Sequence, residues 1–121
     1  MPRPTLDETH LHPAVRERMA SHHADTLQQV QAAVQRHPVV VVGMAQNPWV
    51  GKAQRALDAA GVGHHDINFG SYFSEWRRRN ALKMWSGWPT FPMVFVKGVL
   101  VGGAQDLDKL IASGELKRLL G

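Results

Sequence analysis

The chain has 121 residues, 44% of them hydrophobic and 20% charged, with 14 Lys and Arg against 10 Asp and Glu for a net charge of +4. That length suits one domain with its own core, no apolar run would cross a bilayer, and the N-terminus shows no apolar stretch of signal-peptide type, so a cytoplasmic protein without a membrane partner is expected. The cysteine count is zero, which excludes disulfides, thiolate metal sites, thiolate-held iron–sulfur clusters and cysteine nucleophiles.

Residues 1–24 read as an N-terminal extension in which Ala14 to Ser21, following Pro13, suits a short helix. The folded domain is expected over residues 25–121. Asp25 followed by Gln28 approximates a capping box, and Leu27, Val30 and Val34 supply the apolar stripe of a helix that His37-Pro38 ends. Val39 to Val42 is an unbroken β-branched run, the pattern of a strand buried on both faces. Asn47-Pro48 starts the next helix, because asparagine is a preferred N-cap and proline suits the first helical position. Ala53, Ala56, Leu57 and Ala60 form its apolar stripe, and Gly61 suits its C-terminal cap.

His64 to Phe69 predicts a second strand with Ile67 and Phe69 on one face. Ser71 then caps a helix running as far as Trp85, with Tyr72, Phe73, Trp76 and Leu82 inward, and Ser86-Gly87-Trp88-Pro89 breaks it. Met93 to Val96 and Val99 to Val101, separated by Lys97-Gly98, predict an antiparallel hairpin. Gly102-Gly103 leads to a last helix with Leu107, Leu110 and Ile111, and a terminal turn carries Leu116, Leu119 and Leu120. Early strands joined through helices should run parallel and the closing pair antiparallel. The fold class is therefore α/β, a four-stranded mixed sheet flanked by helices and preceded by a helical extension.

The order of elements is that of the thioredoxin fold, and from Val39 to Leu120 the residues resemble the glutaredoxin family. Trp88-Pro89-Thr90-Phe91-Pro92, Val94-Phe95-Val96-Lys97-Gly98 and Val101-Gly102-Gly103 are similar, in order, to a series of motifs in monothiol glutaredoxins. Arg79-Asn80-Ala81-Leu82-Lys83 upstream and Ser113-Gly114-Glu115-Leu116 downstream match that group as well. Against this frame, Asn47-Pro48-Trp49-Val50 stands where the family carries its Cys-Pro-Tyr-Cys or Cys-Gly-Phe-Ser motif, and Met44 stands where the family usually has a lysine. Asparagine is neither ionisable nor a useful nucleophile. Thiol–disulfide exchange, which begins with a thiolate, has lost its attacking group.

The resemblance implies a groove for glutathione and no other cofactor. Thr90, Phe91 and Pro92 would present backbone to the peptide's cysteinyl part, with Pro92 in cis. Gly103, Ala104 and Gln105 would offer amides at the last helix's start, Asp106 would stand in for the family's acidic or hydroxyl residue at the Gln105 position, and Arg79 would meet the glycyl carboxylate. Asn47 orients a ligand or, on its intrinsic preference, simply caps its helix. Trp49 either stacks beside the groove or holds the loop against the sheet. The expected function is a non-catalytic module binding glutathione, a related thiol peptide or a protein partner. Two alternatives stay open: weak reductase or transferase chemistry using the bound glutathione thiol, and cluster binding through glutathione alone. Oligomeric state is left open.

The remaining clusters have plainer explanations. Arg77 and Arg78 read as a solvated helix face, and Trp76, Trp85 and Trp88 as core aromatics, so no nucleic-acid partner is expected. The seven histidines include His10 with His12, the adjacent pair His22-His23, His37, and the adjacent pair His64-His65. None matches a metal-ligand spacing, and no metal site is expected.

Overall fold

A computed structural model describes residues 3–71 and 74–121. After a 3-10 turn at Glu8–His10 come α1 (Pro13–Ser21), α2 (Ala24–Arg36), β1 (Val39–Gly43), α3 (Pro48–Ala59) and β2 (His65–Asn68). They are followed by α4 (Trp76–Ser86), β3 (Met93–Val96), β4 (Val99–Gly102), α5 (Ala104–Ala112) and α6 (Glu115–Leu120). The sheet order is β2-β1-β3-β4, with β1 parallel to β2 and the other neighbours antiparallel. This is the mixed sheet of the thioredoxin fold, as predicted. Among the described residues no helix is long and apolar enough to cross a membrane.

The β-branched run sits where its lack of alternation requires. Val40, Val41 and Val42 are fully buried. Val40 and Val42 pack with Val30, Leu82, Met93 and Phe95 under α2 and α4, whereas Val39 and Val41 pack with Ala53, Leu57, Leu107 and Leu116 under α3, α5 and α6. Each such valine contributes about 1.5–3 kcal/mol by leaving water. The Lys97-Gly98 turn has both φ angles positive, at 50° and 81°, which matches the right-handed twist of the paired strands.

Helix α3 ends as Gly61 predicts. Gly61 has φ +71°, its N–H bonds the Asp58 carbonyl at 3.0 Å, and Val62 N–H bonds the Leu57 carbonyl at 2.9 Å. These are the paired bonds of a Schellman ending. Between α3 and β2, His64 lies between two carboxylates, to both of which its protonated ring donates, with Nε2 at 2.8 Å from Asp58 and Nδ1 at 2.7 Å from Asp66. Partial burial pushes its pKa down, but the hydrogen bonds and charges of Asp58 and Asp66 outweigh this and raise it above the ordinary 6.5. A raised folded-state pKa stabilises the fold fully below about 6.5, and that contribution is lost as pH rises through the higher value. Urea unfolding at low salt should therefore show stability falling as pH rises above about 6.5, by more than in His64→Gln. Equal pH slopes for the two proteins would contradict the assignment. The effect is modest, since the Asp58 side chain is 70% exposed.

Several expectations need correction. Helix α2 is capped by His23 in a left-handed conformation with no side-chain cap bond, so Asp25 lies inside the first turn, where it favours the helix dipole. Its buried face centres on Thr26, Val30 and Ala33, with Leu27 and Val34 at the margin. Helix α4 begins at Trp76, not at Ser71. The two serines turn the chain locally instead, Ser74 N–H bonding the Ser71 carbonyl and Ser71 N–H bonding Ser74 Oγ. Trp76 is 55% exposed beside Arg77 rather than buried. Tyr72 and Phe73, expected inward, lie outside the described residues. Trp85 is half-buried against Phe95. The terminal turn is a helix, α6, which buries Leu116 and leaves Leu119 44% exposed.

Candidate functional site

Three segments meet at the C-terminal end of β1: the start of α3, the loop Trp88 to Pro92 entering β3, and the start of α5. The Phe91–Pro92 bond is cis. Together they form a groove of about 280 Å³ lined by Trp49, Trp88, Thr90, Phe91, Pro92, Gly103, Ala104, Gln105 and Asp106. Eight of the ten residues picked from the sequence are therefore neighbours. Asn47 lies next to them, in an adjoining depression shared with Met44 and Asn68.

Asn47 is the N-cap of α3. Its Oδ1 accepts the N–H of Trp49 at 2.9 Å and that of Val50 at 3.4 Å. Those are the donors a helix start offers to an anion, and here a neutral amide oxygen on the same chain accepts them. Val50, at the motif's last position, is 4% exposed and turned into the core. A Cβ at Gly43 would come within 2.6 Å and 2.8 Å of its two γ-carbons, so strand and helix touch there with no room to spare. Trp49 is 43% exposed, with Lys52 Nζ 4.2 Å from its ring centre. Of its two readings, the exposed surface beside the groove is the one the structure takes.

On the opposite wall, Gly103 caps α5 and Asp106 Oδ2 accepts its N–H at 3.0 Å. Gly102 has φ +115°, and a Cβ there would meet the Asp106 carboxylate at 2.5 Å, so glycine is required. Asp106 is thus half-buried and already orders the helix start, while Ala104 and Gln105 amides have no intrahelical acceptor by helix geometry. Two cations attend the groove by ring contacts: Lys52 over Trp49, and Lys83 with Nζ 5.7 Å from the Phe91 ring centre.

Arg79 is not at the groove. It is 7% exposed on α4 and its Nη1 donates to the carbonyls of Phe69 and Ser74, fastening the segment between β2 and α4. The guanidinium expected to meet a ligand carboxylate is committed to backbone oxygens. Sequence reasoning placed Trp88 in the core, against which it is partly buried, but missed its place in the groove. Trp88 lines the groove, with its buried Nε1 lacking a partner among the described residues. The signal was present, since Trp88 opens the same run that supplies Thr90, Phe91 and Pro92.

Residues 39–101 match the family model described as Glutaredoxin. A glutaredoxin-like protein of Dictyostelium discoideum is 43% identical over 96 residues, covering 79% of this chain and 78% of that one. Probable monothiol glutaredoxin 2 of Rickettsia prowazekii is 34% identical over 99 residues, 78% of this chain and 90% of that protein. In three dimensions the chain is similar to buckwheat glutaredoxin in its glutathione complex, with a TM-score of 0.73 at 24% identity over 83% of this chain and 91% of that one. Wheat glutaredoxin gives 0.70 at 26% identity, over 81% and 91%. The chain therefore belongs to the glutaredoxin family, as a member without cysteine.

Proposed function

We propose that the protein is a non-catalytic binding module whose groove takes glutathione or a related thiol peptide, or the corresponding segment of a protein partner. The observation that carries this reading is the groove itself: eight groove residues anticipated from the sequence converge, while the nucleophile's position is filled by a capping amide. Glutathione is an anionic tripeptide, and the first-turn amides of α5 together with Lys52 and Lys83 provide the complementary charge. Buckwheat glutaredoxin, of the same fold, was determined in complex with glutathione. We place the protein in the cytoplasm and residues 25–121 as its folded unit.

Reductase or transferase chemistry by the bound glutathione thiol is disfavoured, because a thiolate at α3 would have to displace Asn47 Oδ1 from both amides. An iron–sulfur cluster does not fit the residues present: with no cysteine, the protein has no thiolate to offer. Titration of ¹⁵N-labelled protein with reduced glutathione should shift the amides of Phe91, Ala104 and Gln105. If millimolar glutathione moves none of them, glutathione is not the ligand and the partner-segment reading stands alone.

A further inference from the structure

β1 runs from Val39 to Gly43, and the groove lies at its far end; two larger cavities lie at its beginning. One, of about 1040 Å³, runs between α2, the end of α4 and the β3–β4 hairpin, and the other, of about 520 Å³, opens beside β2. They share His37, Pro38 and Lys97, so they form one continuous surface. Among the described residues no Asp or Glu lines either, whereas Arg36, His37, His64, His65 and Lys97 do, over an apolar floor that includes Trp85 and Leu100. The pairing of Val40 with His65 brings two histidines from distant parts of the chain together: the rings of His37 and His65 stack 4.1 Å apart and 6° from parallel.

Stacked imidazoles hold their nitrogen lone pairs in parallel planes, so the pair cannot close on one metal ion. It can meet an anion. The nearby acids Asp58 and Asp66 are both engaged by His64. From these features we infer that this pole is a docking surface for an acidic peptide segment carrying apolar side chains, from a protein partner. The carboxylates meet Arg36, Lys97 and the histidine pair, and the apolar side chains lie against Trp85 and Leu100. A second copy of the chain is a poor occupant, because it would bring this basic surface against itself.

The test is a titration of labelled full-length protein, at low salt, with a synthetic peptide alternating glutamate and leucine. Shifts are expected at His37, His65, Lys97 and the Trp85 indole, and not at Phe91, Ala104 or Gln105. The double variant Arg36→Glu, Lys97→Glu alters two exposed side chains, and circular dichroism should report an unchanged fold. It should bind the peptide at least about tenfold more weakly, and so should the wild type at high salt. Four results would overturn the proposal: no shifts at millimolar peptide, equal binding of a lysine–leucine peptide, undiminished binding by the double variant, or concentration-dependent shifts of the same residues without peptide. Tighter binding of a single-stranded oligonucleotide at this face would overturn it as well.

Discussion

Asn47→Cys should acquire a thiol whose pKa lies well below the value of about 8.5 for a free cysteine. The reason is already in place around the native side chain. Trp49 and Val50 direct their amides at Asn47 Oδ1 from 2.9 Å and 3.4 Å, and Sγ at the same N-cap would inherit both donors and the positive end of α3. Both interactions favour the thiolate over the thiol. The linkage follows in sign: a depressed thiol pKa stabilises the folded state above about 8.5, and the contribution is lost as pH falls through the lowered value. At acidic pH the variant should be about 1 kcal/mol less stable than wild type, the usual cost of removing an asparagine cap. Thiolate absorbance against pH and the rate of alkylation measure the shift. With glutathione present, the variant should also reduce a mixed disulfide faster than glutathione alone, while the wild type adds nothing. A thiol titrating near the ordinary value would show that the amides do not serve an anion, and with it the account of what the missing cysteine removed would fail.

Arg79→Ala should lower stability by about 3 kcal/mol and the melting temperature by roughly 10 °C. Its guanidinium donates to the carbonyls of Phe69 and Ser74 from a side chain 7% exposed. Removing it leaves the Phe69 acceptor, beside a buried ring, without its charged donor, and leaves unfilled the space of a side chain only 7% exposed. The alternative, a direct contact to a ligand carboxylate, has the opposite signature: stability held, glutathione affinity lost. Urea unfolding and a glutathione titration well below the melting point, run on the same preparation, separate the two. Retained stability with abolished binding would return Arg79 to the groove.

What was legible in the sequence was whatever is encoded within a few residues. Asn47, Pro48 and Gly61 punctuate α3 because capping and left-handed endings are local chemistry. The valines of β1 announce a central strand because burial on both faces needs no polar alternation. Helix α4 was misread because Ser71 and Ser74 have the composition of caps, yet they bond each other, and the chain enters the helix through Glu75 at φ +60°. No residue type announces that choice. Trp76 failed for a related reason: with the helix starting at it, the ring falls in the first turn, on the solvent side. For the site, the family pattern located the groove but not the fate of Arg79, which depends on where the Phe69 and Ser74 carbonyls point. The stacking of His37 on His65 was equally hidden, because it arises from the register between β1 and β2.

The residue after Asn47 has a chemical consequence of its own. Asparagine is ordinarily among the less durable side chains, because the next residue's backbone nitrogen can attack the amide and convert it, through a cyclic imide, to aspartate. Pro48 has no N–H with which to do so. Conversion would set a carboxylate at the one point of α3 where a negative charge is most welcome, giving older molecules an anion that freshly made ones lack. The proline closes that route, so the helix start keeps its neutral character for as long as the molecule lasts.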